Sequence, residues 1–159
     1  VLAGAMAGFI PFNFPHPRIF LGDVGSVPLG FSCGVLLMWM AVTMTDSALY
    51  KTLAVLPFYF YLEGSLTVIR RLCRGEKLSH AHREHFYQRL MRSGWSHART
   101  TSWVWVLQLV VIALACWQIR VGWRVEFLWL AAGLVWGGFF AYAETVFRRS
   151  QDERTEGRK

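Results

Sequence analysis

The sequence predicts an all-α fold: a polytopic membrane helix bundle with about four full transmembrane helices and the end of a preceding one. Three observations carry this. The chain is 54% hydrophobic and 16% aromatic over 159 residues, with eight Trp and a mean hydropathy of +0.32, which is apolar for a domain of this size. Its charges are clumped between long uncharged runs instead of being spread as on a water-facing surface. The basic residues also alternate in density from one inter-span segment to the next.

Residues 1–12 are small and apolar up to Pro11 and read as the end of a helix that began earlier. The opening Val1–Met6 has no charged region of the kind a signal peptide carries. Residues 13–26 hold Asn13, Pro15, Pro17, Gly22 and Gly25. They are expected as a loop at a membrane face, because bare backbone polar groups cannot lie in lipid. The apolar run from Val27 to about Thr45 is long enough to cross a bilayer, with Ser26 as N-cap and Pro28 in the first turn. Residues 46–51 read as a short polar turn. A further span starts near Thr52, kinks at Pro57, passes Glu63 and leaves the membrane as a basic amphipathic helix through Arg70, Arg71, Arg74 and Lys77. Residues 75–101 read as a polar His- and Arg-rich loop. Ser102–Ile119 and Phe127–Phe147 are the last two spans, separated by a turn containing Arg120 and Arg124. Gly133, Gly137 and Gly138 are expected to allow close helix approach. The transmembrane domain is thus 1–147, and 148–159 is a charged tail expected to be disordered.

Fourteen of the seventeen Lys and Arg fall on one side of this alternation, and Lys51, Arg120 and Arg124 on the other. The positive-inside rule then places the Asp23 loop, the His-rich loop and the C-terminal tail together in the cytoplasm. The same placement accounts for the net charge of +7 without nucleic acid, which is excluded as a partner. Cys33, Cys73 and Cys116 form no CxxC pair, and two of them lie in apolar runs. They read as buried free thiols.

Three stretches have residues suited to chemistry. Asp23, between Gly22 and Gly25, stands at the start of a helix, where unpaired N–H groups and the helix dipole favour anions. It can be a dipole-stabilised cap. Alternatively, Asp23 holds Mg²⁺ while Ser26, Gly25 and neighbouring N–H groups meet phosphate oxygens, since Mg²⁺ takes few carboxylates and completes its shell with substrate phosphates. Arg18, five residues earlier, suits phosphate or a lipid headgroup. The stretch His80–Leu90, "HAHREHFYQRL", would as a helix put His82, His85 and Arg89 on one face, with Phe86 and Leu90 as an apolar edge. It reads as a zinc site on His80, His82 and His85, as a solvated basic face, or as an anion-recognition loop whose His and Arg donors meet a diphosphate. Glu63 stands near a membrane boundary with Thr67 and Arg70 on its own face. It is either paired to Arg70 or part of the chemistry. His16 and His97 read as incidental.

"NFPHPRIFLGDVGS" and "RRLCRGEKLSHAHREHFYQRL" together resemble the loop motifs of the polyprenyl-phosphate N-acetylhexosamine-1-phosphate transferases, membrane enzymes of glycosyltransferase family 4 type related to the phospho-MurNAc-pentapeptide translocase. The resemblance covers nearly the whole chain but only the C-terminal half of such an enzyme. It implies that a polyprenyl phosphate attacks the β-phosphorus of a UDP-N-acetylhexosamine, releasing UMP and starting a lipid-linked glycan such as O-antigen at the bacterial inner membrane, with Mg²⁺ required. Asp23 resembles the family's essential loop aspartate, a metal or catalytic carboxylate. His82, Arg83 and His85 resemble the positions that meet the nucleotide-sugar. The partners implied are the UDP-sugar, the polyprenyl phosphate and the bilayer, and a homodimer is compatible with the resemblance. The family's paired aspartates lie upstream and are absent from this sequence, so the 159 residues alone are expected to be inactive. The competing reading is a non-catalytic membrane bundle, a transporter or assembly subunit whose loops bind lipid.

Overall fold

In the computed structural model, which describes residues 1–76 and 85–156, the described residues form helices joined by short connections, with no strand. The helices are α1 (Leu2–Asn13), α2 (Gly22–Thr43), α3 (Ser47–Leu53), α4 (Phe58–Cys73), α5 (Phe86–Arg92), α6 (His97–Val121) and α7 (Val125–Glu156). Among them α2, α6 and α7 are long and apolar enough to cross a membrane. α3 and α4, bent by 60° at the break between them, make a fourth span if taken as one. This is the expected polytopic all-α bundle.

Several boundaries differ from the sequence expectation for local physical reasons. α2 begins at Gly22, whose φ of +58° turns the chain into the helix. Ser26 therefore lies inside α2 and does not cap it. The cap position is Leu21, with no side-chain hydrogen bond, and Pro28 is within the helix rather than in its first turn. The turn expected at 46–51 is mostly helix: Asp46 caps α3, its carboxylate accepting from the Ala48 and Leu49 amides at 2.8 and 3.2 Å. The anticipated kink at Pro57 is a full break over residues 54–57, with Pro57 as the cap of α4. Non-helical backbone at this depth needs protein partners. In the break the Leu56 carbonyl accepts from Gln108 Nε2 of α6 at 3.0 Å, and in α3 just before it the Lys51 carbonyl accepts from Trp129 Nε1 of α7 at 3.1 Å.

The supposed loop 75–101 contains α5 and the first turn of α6, which Ser96 caps by accepting from the Arg99 amide. α6 ends at Gly122 in the left-handed conformation (φ +70°) that glycine adopts without strain. The charged tail expected to be disordered continues α7 as helix to Glu156. Arg148 pairs with Glu144 one turn back, and Arg154 donates to the Arg92 carbonyl.

The core lies between α4, α5, α6 and α7. Tyr59, Phe86, Leu90, Val111, Ala115, Leu128, Ala132, Trp136, Phe140 and Ala143 are buried together, with Val55 from the α3–α4 break. Burial of these side chains holds the four helices. The small residues buried in the core are Ala115, Ala132 and Ala143, not the three glycines the sequence offered. A Cβ at Gly133, Gly137 or Gly138 would meet nothing within 4 Å. The three cysteines are likewise exposed rather than buried, on the outward faces of their helices. Neither α1 nor α2 contributes a buried residue.

Candidate functional site

The loop before α2 folds back on the end of α1. The Arg18 and Ile19 amides donate to the Phe12 carbonyl at 2.9 and 3.2 Å, and Asn13 Nδ2 donates to the Ile19 carbonyl at 3.0 Å. Two aromatic contacts then attach it to α6. Phe14 packs on Trp105 at 4.8 Å between ring centroids, and Phe20 meets His97 edge-on at 6.1 Å. His97, read as incidental, is thus where the loop rests. These contacts set the N-terminus of α2 beside the N-terminus of α6, at the end of the bundle where α4 finishes and α5 lies. The loop before α2 and the start of α6 thus share one end of the molecule.

Asp23 occupies the first turn of α2 and is exposed, and no hydrogen bond or ion pair among the described residues holds its carboxylate. Gly25 is half-buried, and a Cβ there would come within 2.5 Å of the Leu21 side chain. Ser26 and Arg18 are exposed. An uncapped helix start with a carboxylate in its first turn offers amide donors to an anion and oxygen ligands to a cation. Asp23 fits Mg²⁺ in donor chemistry, as one hard oxygen ligand, since that ion keeps waters and takes phosphate oxygens for the rest. Among the described residues no three His, Cys, Asp or Glu side chains gather into a metal-binding group. The zinc reading also drew on His80 and His82. Both of these, with Arg83, lie outside the described residues.

His85 is the N-cap of α5, its amide donating to Gln88 Oε1 at 3.3 Å. Phe86 and Leu90 anchor the helix in the core, the apolar edge expected of them. The His85 ring lies across Tyr87, and its Nδ1 stands 3.1 Å from Oε2 of Glu63 on α4. The hydrogen bond to Glu63 raises the His85 pKa above its ordinary value, against burial, which lowers it, and with added help from the Glu63 charge. Burial raises that of Tyr87, and Glu63 adds to the effect.

Arg89 does not join His85 as a ligand-facing donor. It is 1% exposed and its Nη1 lies 2.7 Å from Glu144 Oε2 on α7. Arg70, expected to meet Glu63, also goes to Glu144 Oε2, at 3.3 Å, with its guanidinium over the Phe86 ring. Arg148 completes the cluster at 2.8 Å from Glu144 Oε1. Arg71 and Arg74 pair with Glu76, and Arg99 lies over Trp95 at 3.8 Å. Much of the arginine crowd is therefore architectural. The residue that organises it, Glu144, was missed in the sequence. Its signal is a lone carboxylate in the last apolar turn of a span, four residues before Arg148.

The family model described as Glycosyl transferase family 4 matches residues 1–41, the segment that carries Asp23. The chain is also similar to curated proteins. The chain is 32% identical over 119 residues to the decaprenyl-phosphate N-acetylglucosaminephosphotransferase of Mycolicibacterium smegmatis, covering 67% of this chain and 29% of that protein. It is 36% identical over 124 residues to the phospho-N-acetylmuramoyl-pentapeptide-transferase of Moorella thermoacetica, covering 72% and 34%.

The chain belongs to glycosyl transferase family 4.

A probable undecaprenyl-phosphate N-acetylglucosaminyl 1-phosphate transferase of Bacillus subtilis is 26% identical over 113 residues, which make up 69% of this chain and 31% of the relative. The chain spans about a third of the length of these relatives. No solved structure matches it. The helix lengths and the relatives agree on a multi-pass membrane protein.

Proposed function

We propose that the protein of which these residues are part transfers N-acetylhexosamine 1-phosphate from a UDP-sugar to a polyprenyl phosphate, and so starts a lipid-linked glycan such as O-antigen. The observation that carries the reading is the contact of Phe20 with His97 on α6, which brings an unpartnered Asp23, three residues on at an uncapped helix start, to the end of the bundle where the basic segment runs into α6. The names of the relatives, which act on undecaprenyl or decaprenyl phosphate, support the chemistry.

An oxygen of the polyprenyl phosphate attacks the β-phosphorus of the UDP-sugar. The bond from that phosphorus to the bridging oxygen breaks, and UMP leaves with the electron pair. Both substrates are anionic, so the protein's work is to bring them together and to neutralise charge. Asp23 would hold a Mg²⁺, which when bound withdraws charge from the diphosphate. The first-turn amides of α2, with Gly25 and Ser26 beside them, offer donors to phosphate oxygens, and Arg18 suits the phosphate of the lipid. His85, with His82 and Arg83 of the same segment, would meet the nucleotide-sugar. The reading places this end of the bundle, with the C-terminus, on the cytoplasmic side of a bacterial inner membrane, where the excess of Lys and Arg belongs.

The test is Asp23→Asn in the full gene product. UMP release from a UDP-N-acetylhexosamine and a polyprenyl phosphate should fall by about 100-fold or more, with expression and unfolding temperature unchanged. Activity that survives the substitution would sink the assignment and favour a non-catalytic bundle.

A further inference from the structure

Glu63 lies on α4 with one turn between it and Thr67, and neither is where a carboxylate or a hydroxyl is cheap. They are 6% and 2% exposed, and Glu63 Oε1 and Thr67 Oγ1 have no hydrogen-bond partner among the described residues. A carboxylate buried this deeply is costly unless its charge is used. The cation its own helix offers, Arg70, is turned to Glu144 and Phe86. What Glu63 does meet is His85 Nδ1, across the gap between α4 and α5.

We propose that Glu63 is a positioning residue for the donor site: from α4 its carboxylate holds the His85 ring through the 3.1 Å ion pair at Nδ1, so that the imidazole is set to meet the nucleotide-sugar diphosphate. The inference rests on the transferase reading above. Its physical basis is that an imidazole turns about χ2 and exchanges tautomers unless a fixed acceptor takes one N–H. A carboxylate 3.1 Å from Nδ1 restrains the ring by ion pairing and favours the charged form that an anion needs. The contact is not required to dock α5, which is already held by Phe86 and Leu90 in the core and by Arg89 on Glu144. Tyr87 stacks on the same ring, 17° from parallel, and limits its tilt from the other direction.

The experiment uses the full-length membrane enzyme. Glu63→Gln keeps the side-chain shape and removes the charge. KM for the UDP-N-acetylhexosamine should rise about tenfold, with kcat changed much less and the unfolding temperature in detergent, taken at a pH above the His85 titration, nearly unchanged. His85→Gln should do the same, and the double variant should add nothing further. At one fixed concentration near the KM of the unaltered protein, UDP-N-acetylhexosamine should raise the unfolding temperature of the unaltered protein more than that of either variant, a readout that needs no turnover. Should Glu63→Gln fail to accumulate, Glu63→Asp, which keeps the charge but withdraws it from Nδ1, is measured in the same way with the same expectation. An unchanged KM and an unchanged ligand-induced shift would overturn the inference, as would fully additive effects of the two substitutions. The two failures are separable. If unaltered protein releases UMP and Asp23→Asn does not, while Glu63→Gln behaves as unaltered, only the role of Glu63 falls. If Asp23→Asn still releases UMP, the transferase reading falls first.

Discussion

His85 carries a pH dependence whose sign follows from its surroundings. The hydrogen bond to Glu63 is the largest influence and raises its pKa in the folded protein above 6.5. A group raised on folding stabilises the fold fully below its unfolded value and ceases to do so as pH climbs through the folded one. The unfolding temperature in detergent should therefore decline as pH rises through neutrality into the raised range. Glu63→Gln should flatten that decline, and a slope retained in the variant would refute the linkage. Neighbouring positions show how far residue-level reading reached. Phe86 and Leu90 could be assigned to the core from their spacing, and Asp23 to an anion-favouring helix start from its glycine neighbours. Glu63 was recognisable as a carboxylate in need of a partner, but the partner inferred was Arg70, because spacing along one helix shows only the neighbours on that helix. The imidazole that fills the place comes from another element.

α7 serves the bundle as a brace, and Glu144 is the point at which it grips. One carboxylate receives Arg70 of α4, Arg89 of α5 and Arg148 of its own next turn. Replacing it leaves Arg89, almost wholly buried, without that counter-charge. Removing one side of a buried ion pair is far more costly than the net worth of the pair. Glu144→Ala should accordingly destabilise the protein by about 3 kcal/mol, read as a lowered unfolding temperature. The companion Arg148→Ala, whose side chain is exposed, should change it little. Equal effects of the two would argue against the brace. The elements themselves were largely legible because hydropathy and length set membrane spans. The misplaced boundaries have local causes. Gly22 starts α2 early through its positive φ, Asp46 turns an expected loop into α3, and the extension of α7 past Phe147 is held by the Arg148–Glu144 ion pair and the Arg154 hydrogen bond to the Arg92 carbonyl rather than by apolar burial.

At the scale of the molecule, the loop contacts Phe14–Trp105 and Phe20–His97 put the starts of α2 and α6 at one end. One span, α2, then carries the chain to Lys51, in α3, at the other end, and three more, the α3–α4 pair, α6 and α7, return it to the first end at Ser150. With Cys33, Cys73 and Cys116 replaced by Ser, a single cysteine at Arg18 or Ser150 should react with a membrane-impermeant maleimide only after the cells are opened. One at Lys51 should react in intact, outer-membrane-permeabilised cells. The same sidedness for Lys51 and Ser150 would overturn the topology.

The amino-acid sequence by itself determined the fold class, the number of spans, the side on which the basic residues collect, and the stretch around Asp23 that marks the family. These are properties of composition and of one-dimensional pattern: a bilayer filters segments by length and polarity, and a helix start is set by a few adjacent residues. The tertiary structure alone decided the pairings, Glu63 with His85 and the arginines with Glu144. Helical periodicity fixes which residues share a face, but which face meets which is settled by the packing of Trp136, Phe140, Phe86 and their neighbours, and each buried charge takes the partner that this packing brings within reach.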